Sequence, residues 1–235
     1  MAAMPDATMV RRLFARVADR YDRANHLLSF GVDHAWRRRV LRFADVQPGE
    51  EVLDACSGTG DLALTIARAG AQVVGSDFCP EMLRHALRKS ARARQPAAGF
   101  VAADTLRLPF ADGRFDLATV AFGIRNVQDP VAGLRELARV VRPGGRVVVL
   151  EFSRPRVPLL RGAYLFYFGR VLPRIGSWVT GDREGSYRYL HDSVMAFPER
   201  DAFLALMTEA GLQAPRSQLL SCGIASLYRA EKALR

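Results

Sequence analysis

The sequence predicts an α/β fold, a doubly wound sheet of seven strands with helices packed on it. Short apolar runs alternate with amphipathic helical patterns over residues 51–151, as in a sheet of parallel strands. The first strand leads into a glycine turn, Gly58-Thr59-Gly60, and then a helix. Two apolar runs near 217–220 and 224–229, with no helix between them, end the chain and are expected to form an antiparallel edge.

The individual elements follow from apolar spacing and from signals at their ends. Pro80 and the pair Asp129-Pro130 mark helix starts, and Gly70 marks a helix end. Residues 1–8 are expected to be disordered. Helices are predicted over residues 9–21, 34–41, 61–69, 80–95, 129–142 and 197–209, and strands over 51–54, 72–77, 100–103, 115–122, 146–151, 217–220 and 224–229.

Residues 1–235 are expected to form one domain with two additions to the sheet. Residues 1–45 are predicted to be an N-terminal helical cap over the glycine turn, in which Phe14 and Trp36 pack on the sheet. Residues 155–195 interrupt the alternation with aromatic side chains and interspersed arginines. This insertion is predicted to be a lid over an apolar substrate. An amphipathic surface that touches lipid, or a helix that covers the sheet, would look similar.

Composition limits the partners and the compartment. The chain carries a formal net charge of +10, which predicts a polyanionic partner (nucleic acid or an anionic membrane surface) or else a solvated, arginine-rich surface. Cys56, Cys79 and Cys222 lack metal-ligand spacing, and their odd number argues against a disulfide framework, so no metal is expected. No apolar stretch is long enough to span a bilayer and no apolar signal core stands at the start, so a cytoplasmic location is expected.

The glycine turn suits two kinds of cofactor. Gly58-x-Gly60-x-x-Ala63, with Asp77 nineteen residues after Gly58, fits the loose dinucleotide pattern. Asp54 at the end of the strand and Asp61 in the turn favour S-adenosylmethionine instead. A carboxylate in this loop repels a pyrophosphate but attracts the ammonium and sulfonium groups of that methyl donor. A tight turn without a ligand is the less favoured interpretation.

Polar residues also follow the later strands, at the edge of the sheet where ligands of such folds bind. Asp77 is placed to accept hydrogen bonds from ribose hydroxyls. Asp104, with Thr105 beside it, can accept from the exocyclic amine of adenine, although an Asp in this position often caps a turn. Arg125 and Asn126 stand after the fourth strand and are further site candidates.

Nearly the whole chain resembles the ubiquinone/menaquinone biosynthesis C-methyltransferases. The glycine turn alone would identify only a superfamily, whereas the segments 122–127 and 186–190 are much more specific. The resemblance is carried by Phe14-x-x-Val17-Ala18-x-x-Tyr21-Asp22-x-x-Asn25, Ser29-Phe30-Gly31, Trp36-Arg37, Val52-Leu53-Asp54, Gly58-Thr59-Gly60-Asp61, Leu108-Pro109-Phe110, Phe122-Gly123-Ile124-Arg125-Asn126-Val127, Arg142-Pro143-Gly144-Gly145, Leu150-Glu151-Phe152-Ser153, Leu172-Pro173-Arg174-Ile175-Gly176, Ser186-Tyr187-Arg188-Tyr189-Leu190 and Gly223-Ile224-Ala225.

The resemblance implies the Rossmann-like fold of class I methyltransferases, S-adenosylmethionine as donor and a polyprenylated quinol as acceptor. One family contact, usually Ser just before the Phe-Gly-x-Arg-Asn motif, is Ala121 here, so that its hydroxyl is missing. Tyr228 stands where the family often has His, which argues against a catalytic role at that position. Donor contacts carried over are Thr59, Asp77, Asp104 and Thr105, in addition to Asp54, Gly58 and Gly60 of the turn.

The predicted reaction is methyl transfer to a ring carbon, which needs alignment of the reactants, exclusion of water and a route for a proton, but no metal. Arg125 is the candidate for stabilising the phenolate, and Asn126 for orienting an oxygen or a water. Tyr21, His26 and His191 are the candidates for accepting the proton.

Several questions of substrate and partner accompany this prediction. Demethylmenaquinol is the favoured acceptor, and a prenylated methoxybenzoquinol, or both, is the alternative. A methyltransferase of RNA or of a small phenol, and a dinucleotide-dependent reductase, are more distant alternatives. Nucleic acid is not expected because aliphatic side chains accompany the aromatics of residues 164–178. Peripheral contact with the inner face of an anionic membrane is considered, and a homodimer is left open.

Overall fold

The computed structural model describes residues 6–93, 98–180 and 185–234, and its centre is a seven-stranded sheet. The strands are ordered β3-β2-β1-β4-β5-β7-β6. Their bounds are Glu51–Ala55 (β1), Gln72–Asp77 (β2), Gly99–Ala102 (β3), Phe115–Ala121 (β4), Val141–Phe152 (β5), Leu212–Leu220 (β6) and Ala225–Lys232 (β7).

Strands β1 to β5 run parallel, and β7 is antiparallel to both of its neighbours, β5 and β6. The predicted fold class and the antiparallel edge are therefore confirmed. The strand order reverses between β1 and β4, which lie side by side at the centre. In open α/β sheets, ligands bind at this switch point, at the carboxyl ends of the strands.

Ten α-helices surround the sheet in the described parts of the chain. A 3₁₀ turn, Ile124–Asn126, follows β4, and a π-helical turn, Tyr167–Val171, joins α7 to α8. The helices are Ala7–Val17 (α1), Tyr21–Leu28 (α2), Val32–Ala44 (α3), Asp61–Ala67 (α4), Pro80–Arg92 (α5), Pro130–Val140 (α6), Pro158–Phe166 (α7), Leu172–Thr180 (α8), Ser186–Ala196 (α9) and Asp201–Glu209 (α10).

The core has two layers because successive strand residues point to opposite faces. Leu53 belongs to a layer that is completed by buried side chains of α6 and α10, such as Leu137 and Phe203. Val52, the preceding residue, belongs to the opposite layer, to which α3 and α4 contribute. The sheet is covered on both faces, as strands of near-continuous apolar residues require.

Several predicted boundaries are wrong. Residues 6–8 are ordered, because the Asp6 side chain accepts hydrogen bonds from the backbone of Thr8 and caps α1; residues 1–5 lie outside the described chain. The segment 21–28, noted only as polar and aromatic, is a helix. Helix α10 begins at Asp201, because Glu199 turns instead to Arg154 and accepts from its backbone N–H at 2.7 Å.

Helices α7 to α9 form, together with α2, a layer over the carboxyl end of β4, and we refer to α7–α9 as the lid. Its core contains Leu28 of α2 with Tyr164, Phe168 and Leu172. The Tyr167 hydroxyl also donates to the Leu28 carbonyl at 2.9 Å. Among the helices of the described chain, none has the length and apolar character needed to cross a membrane.

Candidate active site

Two cavities meet at the carboxyl edge of the sheet. The first encloses about 930 Å³, including its open mouth, and lies against the glycine turn and the ends of β2 and β4. The second encloses about 1580 Å³ between α2, α3 and the lid. Four side chains line both cavities and so form the wall between them, Phe14, Tyr21, Arg37 and Phe122.

Glycine is required at two positions of the turn for different reasons. Gly58 has φ +57°, and a Cβ built there would meet no atom within 4 Å, so the residue leaves open space at the cavity. Gly60 has φ +82°, and a Cβ would come within 2.8 Å of the Phe100 ring. Both angles disfavour residues with a side chain. The turn therefore allows a ligand to approach its backbone, as predicted.

Asp54 presents an unsatisfied carboxylate to the first cavity. The Thr119 hydroxyl donates to Oδ1 at 2.7 Å, whereas Oδ2 is buried and has no partner among the described residues. Burial raises the pKa of Asp54 to about 7, although the Thr119 hydrogen bond opposes the rise. A buried acceptor without a partner is costly, and a cationic group in this cavity would supply the missing interaction.

Asp77 supports the turn from the end of β2. Its two carboxylate oxygens accept from the backbone N–H groups of Gly58 and Cys79, each at 2.8 Å. Burial raises the pKa of Asp77 to about 6, against the effect of these hydrogen bonds. A carboxylate oxygen has two lone pairs, so each can accept a second hydrogen bond from a ligand. The predicted ribose role therefore remains available.

Asp104 and Thr105 lie together on the wall of the first cavity, at the end of β3. Asp104 is exposed and accepts from the backbone of Leu106 at 2.9 Å, so it caps a turn while it faces the cavity. Thr105 is buried, and its hydroxyl lies 3.3 Å from Cys56 Sγ. The turn-capping interpretation of Asp104 is therefore confirmed, and its predicted contact with adenine stays a prediction.

The start of α2 is tied to the glycine turn by a cluster of charges. The Thr59 hydroxyl donates to Asp22 at 2.5 Å, and Lys89 contacts both Asp22 and Asp61, at 2.5 and 2.6 Å. Lys89 is shared between two carboxylates, so Asp61, which also lines the first cavity, is only partly compensated and adds to the preference of Asp54 for a cationic ligand. The sequence reasoning noted Asp22 only as part of the family motif and missed Lys89, which lies far from it in the chain.

The wall between the cavities contains a strained backbone. Phe122 has φ +57°, and its ring packs against Phe152 with centroids 4.4 Å apart. A non-glycine residue in this region costs about 1–3 kcal/mol and is often found at functional sites. Phe14 also belongs to this wall, and Trp36 lines the second cavity while donating to Ser221 at 2.9 Å. Trp36 is buried against the sheet, as predicted, in addition to lining the second cavity, whereas Phe14 packs beside Cys79 and Met82 instead.

Arg125 reaches the second cavity together with its own counter-ion. Its side chain is 4% exposed, and Nη1 donates to Glu151 at 2.7 Å and to the Phe122 carbonyl at 2.6 Å. Burial raises the pKa of Glu151, and the neighbouring Arg125 opposes that rise. The guanidinium also lies 5.5 Å from the Phe152 ring centre. Sequence reasoning found Arg125 but missed Glu151, because the pair is separated by a helix.

Asn126 joins the sheet to the lid. It lines the first cavity, and its Oδ1 accepts from the Tyr189 hydroxyl at 3.0 Å. Tyr189 itself belongs to α9 and lines the second cavity. Asn126 is thereby held in one orientation by a residue of the motif that distinguished the family in the sequence.

The three candidate proton acceptors differ in position. Tyr21 lines both cavities, but burial raises the pKa of its hydroxyl, which makes it a hydrogen-bond donor near neutral pH rather than a base. His191 lines neither cavity, and its Nδ1 lies 2.9 Å from Asp192 on the lid. His26 also lines neither, but its Nδ1 lies 2.8 Å from Asp33, which does line the second cavity.

One group of potential metal ligands comes together in the described chain, His26, Asp33 and His34, with ligand atoms within 4.8 Å of one another. Arg37 pairs with Asp33, and Ser29 donates to it at 2.7 Å. Burial acts to raise the pKa of Asp33, but these two partners lower it below its ordinary value. The carboxylate thus already has a cation, and the cluster is an internal ion pair.

Tyr228 lies away from this site. Its hydroxyl accepts from the Arg200 backbone at 2.8 Å, its ring packs on Phe203, and it lines neither cavity. Ala121, in contrast, lines the first cavity, where a serine hydroxyl would face the ligand.

The family model described as the ubiE/COQ5 methyltransferase family matches residues 2–232. A Bdellovibrio bacteriovorus protein named ubiquinone/menaquinone biosynthesis C-methyltransferase is 44% identical over 229 residues, 96% of this chain and 96% of that protein. A Thermus thermophilus protein named demethylmenaquinone methyltransferase is 48% identical over 218 residues, 92% of this chain and 98% of that protein.

Solved structures share the architecture at much lower identity. A SAM-dependent methyltransferase from Thermotoga maritima superposes with a TM-score of 0.68 at 18% identity, covering 95% of this chain and 99% of its own. A putative methyltransferase of Haloferax volcanii, solved with the Trm112 methyltransferase activator, gives 0.68 at 17% identity, covering 94% and 97%. These similarities establish the fold.

Proposed function

Because the chain belongs to the ubiE/COQ5 methyltransferase family, we propose that it transfers the methyl group of S-adenosylmethionine to a ring carbon of a polyprenylated quinol. The observation that carries the proposal is the pair of cavities divided by one wall. The first holds a buried carboxylate oxygen without a partner, and the second is lined mainly by aromatic and aliphatic side chains. Demethylmenaquinol is the proposed acceptor.

The residues of the first cavity fit S-adenosylmethionine, which supplies an electrophilic methyl group on a sulfonium. The unpartnered Oδ2 of Asp54 suits the ammonium, and the open space beside Gly58 lets the ligand reach the backbone. Asp77 would accept from the ribose hydroxyls. Asp104 and Thr105 would hold the adenine amine.

The residues of the second cavity fit a prenylated ring. Its walls are largely apolar, with Leu13, Leu28, Phe152, Leu160, Phe168 and Ile224 among them. Its polar lining includes Arg125, which donates to the carbonyl of Phe122 in the dividing wall, and Tyr189, which donates to Asn126. Ligand sites of this kind bind an apolar body and orient it by a few fixed polar groups.

Arg125 and Tyr21 would support the ionised ring from that wall. A quinol ring carbon is a strong nucleophile when its hydroxyl is deprotonated, so donors aimed at the oxygen lower the barrier. Glu151 holds the Arg125 guanidinium in place before the substrate arrives, and such preorganisation reduces the cost of reorientation. The aromatic walls exclude water and hold the ring in line with the donor.

Methyl transfer to an aromatic carbon releases one proton in total, and we propose that His26 takes it up beside Asp33, which stays ionised and holds the imidazole through Nδ1. Asp33 lines the acceptor cavity, and His26 links it to the protein surface, where its side chain is partly exposed. His is the side chain best suited to exchanging protons near neutral pH. We therefore favour His26 over His191 as the proton acceptor, because His26 contacts a residue that lines the acceptor cavity, whereas His191 contacts Asp192 on the lid.

A prenylated methoxybenzoquinol is the second candidate acceptor. Relatives named for both ubiquinone and menaquinone biosynthesis are 44% identical to this chain over nearly its full length. The apolar cavity accepts either ring in principle, since its polar groups address oxygens that both rings carry.

The test uses methyl-labelled S-adenosylmethionine with chemically reduced demethylmenaquinone and, in parallel, a reduced prenylated methoxybenzoquinone, each dispersed in detergent. Mass spectrometry locates the label. We expect it on the naphthoquinol ring. Label on both rings would make the enzyme bifunctional, and label on neither would refute the proposed acceptor class.

A further inference from the structure

Large apolar side chains project into solvent from the outer surface of the lid. Leu159 is 86% exposed, Trp178 is 84% exposed, and Phe166 lies between them with more than half of its surface exposed. Single exposed apolar residues are common, but three large ones along one exposed segment suggest an interaction surface. None of these three residues lines either cavity.

The three residues lie on one side of a continuous helix. Residues 158–180 keep helical backbone angles from α7 through the π turn into α8. The exposed positions Leu159, Phe166, Arg170, Arg174 and Trp178 are spaced by seven residues and then by four. In a regular α-helix, positions four residues apart gradually move away from one side of the helix. The π turn has more residues per turn and so brings the later positions back to the same side. We call this surface the docking face.

The docking face is also strongly basic. Residues 155–180 contain four arginines, at 156, 161, 170 and 174, and no aspartate or glutamate. All four arginines are exposed, and none has an ion pair with a residue in the described parts of the chain. A helix surface that combines exposed aromatics with unpaired arginines has the chemistry of an interfacial membrane helix.

The mouth of the second cavity opens beside this face. Phe30, at the turn between α2 and α3, lines the cavity and is 80% exposed. Its φ is +52°, so the chain adopts a strained conformation with an apolar ring in solvent. Its ring lies 6.1 Å from Tyr167, and exposed Ala163 of α7 lines the same cavity. The mouth is therefore bordered by α7 and by the tip of the α2–α3 turn.

We propose that the docking face and Phe30 insert into an anionic lipid bilayer, so that the mouth of the acceptor cavity opens directly to the acyl layer. This inference rests on the proposed function, because a prenylated quinol resides in that layer. The arginines would contact lipid phosphates while Leu159, Trp178 and Phe30 enter the headgroup and acyl boundary, by about 5–10 Å. The acceptor would then enter without crossing water.

A lipid surface fits this face better than a protein or nucleic acid. A second copy of the chain would pair the face with itself across a two-fold axis and bring together Arg170 and Arg174 of both copies, four arginines without acidic partners on the face. A nucleic acid would match the charge but would leave Leu159 without an apolar environment. An anionic bilayer satisfies both the charge and the apolar residues.

The experiment uses the full chain with vesicles of phosphatidylcholine, alone or mixed with phosphatidylglycerol. Trp178 is exposed and Trp36 is 6% exposed, and the chain has only these two tryptophans, so a blue shift of the emission on adding vesicles reports insertion of Trp178. We expect this shift with the mixed vesicles, a smaller one at high salt or with phosphatidylcholine alone, and none in the Trp178→Phe variant.

Vesicle flotation of three docking-face variants and two controls separates apolar from electrostatic contributions. Trp178→Ser should weaken partitioning about tenfold, and Arg170→Gln and Arg174→Gln about fivefold each. Leu87→Ser and Arg88→Gln on α5, also exposed, are the matched controls and should bind as wild type. Equal loss in the controls, or unchanged binding in the docking-face variants, would overturn the inference.

A failure of the docking inference can be distinguished from a failure of the proposed function. The docking-face variants should methylate detergent-dispersed demethylmenaquinol at the wild-type rate, because their residues line neither cavity. They should lose rate only when the same quinol is presented in mixed vesicles. A chain that methylates the quinol in detergent but does not bind vesicles through this face disproves the docking inference alone.

Discussion

Replacement of Asp54 by Asn should stabilise the protein while weakening its hold on the methyl donor. The wild-type carboxylate is fully buried, with Oδ1 satisfied by Thr119 and Oδ2 without a partner. The variant keeps the accepting oxygen for Thr119 and removes the charge. Its amide takes the place of the unsatisfied Oδ2, so the volume of the site is nearly unchanged.

The size of the expected stability gain follows from the raised pKa of Asp54. Burial moves the pKa of Asp54 from its ordinary value of 3.8 to about 7. That difference corresponds to about 4 kcal/mol by which folding disfavours the ionised form. Because the folded pKa is raised, the penalty is absent below the unfolded value, grows as pH rises from about 4 to 7, and is complete above.

The assay compares urea unfolding of wild type and Asp54→Asn without donor across this range of pH. The stability difference should be near zero at about pH 4, should grow by about 1.4 kcal/mol for each pH unit, and should level off near 4 kcal/mol above about pH 7. Asp112→Asn removes an exposed carboxylate beyond the amino ends of the strands, at the opposite edge of the sheet from Asp54, and should show no slope of this size. Equal stability of wild type and Asp54→Asn at pH 8 would refute the reasoning.

Calorimetry of S-adenosylmethionine binding supplies the second half of the test. Loss of a charge-assisted contact should weaken affinity by at least about tenfold at pH 8. Wild-type affinity should fall as pH drops below about 7, since Asp54 becomes protonated, while the variant should be flat over that range. Unchanged affinity in the variant would mean that the ammonium does not bind at Asp54.

Three further substitutions test the surroundings of the site. Glu151→Gln leaves the Arg125 guanidinium buried without its counter-ion and should lower the free energy of unfolding by about 3 kcal/mol, measured by urea titration; wild-type stability would contradict the pairing. His26→Gln should lower kcat about a hundredfold with little change in donor affinity, by single-turnover kinetics, whereas His191→Gln should be neutral. Asp22→Asn breaks the link between α2 and the glycine turn and should speed donor release several-fold in stopped-flow displacement, while Asp192→Asn leaves it unchanged.

Much of the fold could be predicted because its signals are local. The strand that ends at Asp77, the glycine turn and the proline at the start of α5 each depend on residues close in sequence. Helix α2 was missed because it has polar residues on most of its surface and is stabilised by packing against the lid rather than by its own pattern. Its contact with Leu172 links residues far apart in the chain.

The site was predicted in part for the same reason. Asp54 and Gly58 lie within one strand and turn, so their arrangement is fixed locally. The partner of Arg125 is Glu151, at the end of the next strand, and only the register of β4 against β5 brings the two together. The positions of the histidines could not be predicted from the sequence. No local pattern shows that His26 contacts Asp33 whereas His191 contacts Asp192 on the lid.

The two cavities share a wall but have different mouths, and this has a kinetic consequence. Exposed Asp104 and Gln128 line the first cavity, whereas exposed Phe30 and Ala163 line the second. If the docking face binds the bilayer as we propose, spent donor would return to water while the mouth of the acceptor cavity stays against lipid. On vesicles the enzyme would then complete many turnovers on one particle before it dissociates. Its rate would depend on the surface density of quinol in the vesicle rather than on the bulk concentration of quinol.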